Sequence, residues 1–229
     1  MIGIIGAMDV EVDGIKEIMT EKVSENIAGL DFVQGKLKGV EVVVVRCSPG
    51  KVNAAACAQI MALKYNPRLI INPGVAGGVG EGLHIGDVVI GKACVEHDFD
   101  TSPLGDPVGQ LPGLQIIEIP CDEAAAEKMY AHAKNIYEGQ VLSGIIVTGD
   151  QFIASNEKSA QLRRDFNALA CEMEGGAIGH VCYMNKIPYV VLRTISDNGN
   201  DDATMDFPTF CDFAAKKEVE LLNSCITEL

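Results

Sequence analysis

The sequence predicts an α/β protein: a three-layer α/β/α sandwich around a central mixed, mostly parallel sheet, with residues 1–229 as one domain. Short β-branched runs alternate with stretches of helical rhythm along the whole chain, the pattern of strands crossed over by helices. Several of those runs are apolar at consecutive positions, as strands covered on both faces are. No Ser/Gly/Pro-rich linker, charge block or repeat divides the chain.

Taken in order, IGIIG (2–6) is the first strand and VEVVVVR (40–46) the next. KVNAAACAQIMALKY (51–65) follows as a helix, with Val52, Ala55, Ala56, Ile60 and Leu63 on one stripe near the 3.6-residue period. RLIINPG (68–74) and GDVVIG (86–91) are strands, and the turn-rich stretch 96–114 is a long loop. LQIIEIP (114–120) reads as a strand and DEAAAEKMYAHAKNIY (122–137) as a helix. SGIIVTG (143–149), the apolar run ALACEM (168–173) and PYVVLRTIS (188–196) supply further strands, and FCDFAAKKEVELLNSCI (210–226) closes with a helix.

Composition narrows the function. Lys and Arg number 18 against 32 Asp and Glu, a net charge of −14. Such a surface repels phosphate backbones and anionic lipid heads, so neither nucleic acid nor membrane is an expected partner. No apolar run reaches the roughly 18 residues of a membrane span, and MIGIIGAMDVEV reads as a strand, not a signal peptide. The 8 cysteines show no CxxC, so reduced, buried thiols in a cytoplasmic protein are expected. SPGK (48–51) is followed by Val52, so it is not a P-loop; GxSxG and HExxH are absent, and GVAGGVGEG (74–82) does not fit GxGxxG. His97 with Asp98 and Asp100 has the donor types of a metal site, but a solvated loop is the commoner fate, and no metal or cofactor is expected. His180 and Cys182 read as helix packing.

In a sheet of this kind ligands bind at the carboxyl ends of strands. There lie MDVE (8–11), SPGK (48–51), PGVAGG (73–78), GDQF (149–152), CEME (171–174) and RTISD (193–197). Glu11, Glu174, Arg193 and Asp197 stand out because apolar strands deliver them. Each acid also has a structural reading: Glu11 in a first helical turn, Glu174 as an N-cap, Asp197 opening a turn. The glycines at 74–78 either let backbone approach a ligand or only turn the chain.

Together, IGIIGAMDVEV, NPGVAGG, GDQFI, CEMEG and RTISD, in that order, resemble the nucleoside phosphorylase/hydrolase superfamily. Glu11 and GQLPG (109–113) bring the chain closest to the methylthioadenosine/S-adenosylhomocysteine nucleosidases. The resemblance implies hydrolysis of an adenine–ribose bond through an oxocarbenium-like transition state. It assigns Asp197 to protonate adenine N7, Glu174 to the ribose hydroxyls with the Met173 backbone, Glu11 as general base on water, and Arg193 to hold that water or neutralise the acids. Ile153 backbone groups would read the base, with Phe152 and Phe207 stacking on base or ribose, or packing in the core. Met8, Val75, Ala76, Gly77, Glu172 and Ser196 complete the expected substrate-binding set. The family also implies a homodimer in which 96–114 crosses to the neighbouring subunit, with Leu104 and Pro112 walling its 5′ pocket. The chain departs from the family at Val75, where Ser or Thr is usual, at Gly175 and Gly176, and at Leu104, where some members carry an aromatic. A phosphorylase, a futalosine-type hydrolase and a non-catalytic nucleoside binder are the competing readings.

Overall fold

A computed structural model describes residues 1–200 and 203–229. Among these residues ten strands form one sheet: β1 (Ile2–Gly6), β2 (Thr20–Ile27), β3 (Leu30–Leu37), β4 (Val40–Arg46), β5 (Ile70–Gly78), β6 (Val88–Glu96), β7 (Ile119–Pro120), β8 (Val141–Thr148), β9 (Ala168–Glu172) and β10 (Tyr189–Asp197). Among the described residues six α-helices accompany them: α1 (Asp9–Ile18), α2 (Lys51–Tyr65), α3 (Glu123–Ile136), α4 (Asn156–Phe166), α5 (Gly175–Asn185) and α6 (Ala203–Cys225).

The α/β class and mixed sheet agree with the sequence, but the sheet is not a flat central layer. The strand order is β10-β6-β8-β9-β5-β1-β4-β3-β2, with β7 on β6, and β10 also pairs with β5. The strands β5, β10, β6, β8 and β9 therefore close on themselves as a barrel, from which β1, β4, β3 and β2 extend. Register shifts in β6 between Gly91 and Ala93, in β8 between Ile145 and Ile146, and in β10 between Ile195 and Asp197 bend the strands that close it. Parallel and antiparallel pairings are equal in number among the described residues, so "mostly parallel" is corrected to evenly mixed.

Helices cover both sides. Val12 and Ile15 of α1, Met129 of α3 and Leu221 and Leu222 of α6 pack with Ile2, Ile4 and Val190 on one side. Cys57, Ala58 and Met61 of α2 and Ile178 and Cys182 of α5 pack with Ile5, Val43 and Val191 on the other. The face of α2 is a correction: Ala54, Cys57, Ala58, Met61 and Ala62 are buried, while Val52 is 80% and Leu63 77% exposed. Small residues let α2 lie close on the sheet, where Met61 Sδ fills the space above Gly3; of the predicted stripe Ala55 and Ile60 pack only at the edge of the core, and Val52 and Leu63 point outward.

Two strands escaped the sequence reading. β2 is exposed along nearly its whole length, so it has no apolar alternation. Its hairpin to β3 turns on Ala28 and Gly29, both at positive φ, and Lys38–Gly39 repeats that geometry before β4; both are two-residue turns matched to strand twist. Of 114–120 only Ile119 and Pro120 are strand, because Gln115 (φ 58) closes a turn and Leu111 bridges Ile116. PGVAGG is buried strand in β5, not a loop. Among the described residues no helix is long and apolar enough to cross a membrane.

Candidate active site

The ends of β1, β5, β9 and β10 converge on one cleft, and each delivers an acid or the backbone that holds one. Glu11 sits in the first turn of α1, where it completes a capping box. Its Oε2 accepts from the N–H groups of Ala7 (2.7 Å) and Met8 (2.9 Å), and its Oε1 from Val75 (3.2 Å). The helix-start reading is thus true, and the same side chain also lines the cleft. Burial pushes the Glu11 carboxyl above its ordinary range, and the Arg193 guanidinium opposes that rise.

Arg193 is 1% exposed and does not line the cleft. It donates to Asn72 O (2.8 Å), Leu192 O (2.9 Å) and Asn72 Oδ1 (2.5 Å), and pairs with Glu172. Of its two expected roles, the geometry accords with neutralising acids. Glu172 also accepts from Glu174 N (3.0 Å), Gly175 N (2.6 Å) and the Thr148 hydroxyl. Glu172, not Glu174, therefore satisfies the start of α5. Glu174 holds the N-cap position with no side-chain cap bond, which leaves its carboxyl free to accept from Gly50 N at 2.8 Å. Burial, then the neighbouring Glu172 charge, pushes Glu174 up to about 7.

Asp197, 2% exposed, ends β10. Its Oδ1 accepts from Gly199 N (2.8 Å), opening a turn, and its Oδ2 from the Ser196 hydroxyl (3.0 Å). The glycines of PGVAGG are explained by these acids. A Cβ at Gly74 would lie 2.8 Å from Glu11 Oε1, and one at Gly77 would lie 3.0 Å from Asp197 Oδ1. Strand β5 must be bare for two carboxylates to lie against it.

Of the sequence-predicted residues, the cleft brings together Met8, Glu11, Val75, Ala76, Gly77, Phe152, Ile153, Glu172, Met173, Glu174, Ser196, Asp197 and Phe207. Phe152 and Phe207 face each other edge to face, with centroids 5.7 Å apart, and Phe152 is 49% exposed, so it is not core packing. Leu104, 84% exposed, and Pro112 lie away from the cleft within this chain. Ala7, Pro49, Gln151 and Cys171 line it unforeseen; Pro49, Gln151 and Cys171 belong to strand ends already singled out, whereas a small apolar residue such as Ala7 gives no signal of its own. Among the described residues no group of three His, Cys, Asp or Glu is placed to hold a metal ion.

A phosphorylase superfamily model matches residues 1–227. Among curated relatives, a 5′-methylthioadenosine/S-adenosylhomocysteine nucleosidase of Shewanella loihica is 40% identical over 210 residues, 91% of each chain. The solved nucleosidase of the same name from Neisseria meningitidis, in complex with methylthio-immucillin-A, superimposes with a TM-score of 0.95 at 31% identity, covering 100% of this chain and 99% of that one. A futalosine hydrolase mutant from Helicobacter pylori gives 0.94 at 31% identity, covering 100% and 99%. The fold that carries these buried acids is that of the phosphorylase superfamily, to which the chain belongs. Within it, this chain belongs to the 5′-methylthioadenosine/S-adenosylhomocysteine nucleosidase family.

Proposed function

We propose that this chain hydrolyses the N-glycosidic bond of 5′-methylthioadenosine and S-adenosylhomocysteine, and of 5′-deoxyadenosine, releasing adenine and the 5-substituted ribose. One observation carries the choice of water over phosphate. Among the described residues the cleft is lined by four acids, Glu11, Glu172, Glu174 and Asp197, and by no Lys or Arg. A phosphate anion would meet repulsion there with no compensating cation, whereas a ribosyl cation is stabilised.

Asp197 gives a proton to adenine N7 as the bond from C1′ to N9 breaks, so the base leaves neutral. Glu174 accepts hydrogen bonds from the ribose hydroxyls, aided by the Met173 backbone. Glu11 takes a proton from the water that adds to C1′, and its three backbone donors aim the carboxylate at that water. Arg193 holds Glu172 and offsets the summed negative charge. Ile153 reads the base edge, and Phe152 and Phe207 flank base and ribose. Val75 presents only its N–H to Glu11, so water positioning rests on the carboxylate.

The active form is a homodimer. Leu104, Val52 and Leu63 are exposed, as are Tyr183 and Met184 on α5, and large apolar side chains left in water suit an interface. Residues 96–114 then reach the partner's cleft, where Leu104 and Pro112 wall the 5′ substituent. The eight thiols are all unpaired and seven are buried, which suits the reducing cytoplasm. Incubation with methylthioadenosine, S-adenosylhomocysteine, inosine and aminofutalosine tests the substrate. Adenine release from the first two at rates well above the others is expected, and preference for aminofutalosine or inosine overturns the reading.

A further inference from the structure

A closed ring of contacts lies beside the cleft and takes no part in the chemistry above. Lys51, the first residue of α2, places Nζ 2.6 Å from Asp98 Oδ1 and 3.2 Å from Glu96 Oε2. The Lys51 backbone N–H donates to Asp150 Oδ1 (2.8 Å), and the Asp150 N–H donates to Asp98 Oδ2 (2.9 Å). Three residues remote in sequence thus each hold the other two. Glu96 extends the ring to His180 Nδ1 on α5 at 2.9 Å. The Lys51, Glu96 and Asp98 side chains are 18%, 8% and 17% exposed, shielded enough for ion pairs to resist screening by solvent.

Two of the ring's members adjoin the cleft. Gly50, just before Lys51, donates its N–H to Glu174 Oε1. Gln151, Phe152 and Ile153, just after Asp150, form another wall. Gly50 has φ 101, and a Cβ there would lie 3.2 Å from Asp150 Oδ1, so the Asp150 carboxylate sits directly against Gly50.

We propose that Lys51, Asp98 and Asp150 are positioning residues: their ring fixes the Gly50 N–H against Glu174 and sets its distance from the wall carrying Phe152 and Ile153. Ribose and base are thereby held in register for cleavage. The kinetic consequence rests on the nucleosidase reading; the structural one does not.

The Gly50 hydrogen bond opposes the rise of the Glu174 carboxyl, which is also faced by Glu172 on β9, Glu11 on α1, Arg193 on β10 and Cys47 after β4. Freeing Gly50 raises the Glu174 pKa further. Lys51→Met and Asp98→Asn both cut the ring, but they change the local charge in opposite directions. A bare charge effect would move Glu174 up in the first variant and down in the second; loss of the Gly50 bond moves it up in both.

The experiment is a 13C NMR titration of glutamate-labelled protein, with Glu174 assigned from Glu174→Gln, in wild type, Lys51→Met, Asp98→Asn and Lys51→Arg. An upward shift of about half a unit or more in both ring-cutting variants, with recovery in Lys51→Arg, is expected. Shifts of opposite sign, or none, overturn the proposal; if Lys51→Met does not fold, Asp98→Asn decides by the sign of its shift. In parallel, kcat/KM for methylthioadenosine should fall about ten- to a hundredfold in both variants, with its acid limb displaced to higher pH. Wild type that releases no adenine defeats the nucleosidase reading, yet the titration still decides the ring.

Discussion

Glu11→Gln tests the general base proposed for water activation. The substitution keeps the side chain's length, and one amide oxygen in the place of Oε2 still accepts from Ala7 and Met8. The amide NH2 then faces the Val75 N–H, 3.2 Å away in the native arrangement, and that donor loses its acceptor. A buried donor left unmade costs about 1–3 kcal/mol. Against this, the variant removes a carboxylate whose pKa burial has raised, and so the desolvation cost of ionising it. The two effects act in opposite directions, so the variant should fold and melt within a few degrees of wild type. Turnover should not survive so well, because a positioned general base contributes about 10²–10⁴-fold, equivalent to roughly 3–5 kcal/mol of barrier. Steady-state kinetics with methylthioadenosine, paired with calorimetric binding of the same nucleoside, separate the effects. A kcat lowered at least a hundredfold with the dissociation constant changed less than about tenfold is expected. A kcat within tenfold of wild type would refute the role.

Asp197→Asn should lower kcat by a similar factor of about 10²–10⁴ while nucleosides still bind; near-normal turnover removes the acid from the mechanism. Glu218 of α6, fully buried with Oε1 accepting from Thr194 N at 3.2 Å, has its carboxyl pushed up by burial to about 8 from an ordinary 4.5. The folded state therefore keeps a proton that the unfolded chain releases across that window, so stability falls as pH rises through it. Glu218→Gln should be close to wild type near pH 5 and more stable by a few kcal/mol above about pH 9; parallel denaturation curves for the two proteins at both pH values would contradict this. Leu104→Asp should raise KM for methylthioadenosine and weaken self-association, and a wild-type monomer in sedimentation with full activity would end the dimer account.

The order of the apolar strands was legible because buried strands declare themselves by unbroken β-branched runs, as IGIIG and VEVVVVR do, whereas α1, α4 and α5 were not delimited as helices. Closure of the barrel was not, since it depends on bulges near Lys92 and Ser196 that have no composition signature. Nor was the β2–β3 hairpin, whose outer strand is exposed and polar. Periodicity alone placed the larger apolar stripe of α2 inward, yet the close approach of helix to sheet favours Ala and Cys there. At the site, the acids were found because charge at the end of an apolar strand is costly without a purpose. Glu172 was underrated: its hold on Arg193 and on the start of α5 is tertiary, and alternation along β9 does not reveal it. Leu104 and Pro112, expected at the 5′ pocket, lie outside this chain's own cleft.

The central claim is that water, not phosphate, accepts the ribosyl group in a cleft of four acids. Methylthioadenosine incubated with the wild-type protein in phosphate-free buffer and in phosphate, followed by chromatography for adenine and by 31P NMR for sugar phosphate, tests it most directly. The account predicts complete conversion to adenine and 5-methylthioribose at equal rates in both buffers, with no new phosphorus resonance. Adenine release only in phosphate, accompanied by a ribose 1-phosphate signal, would contradict it.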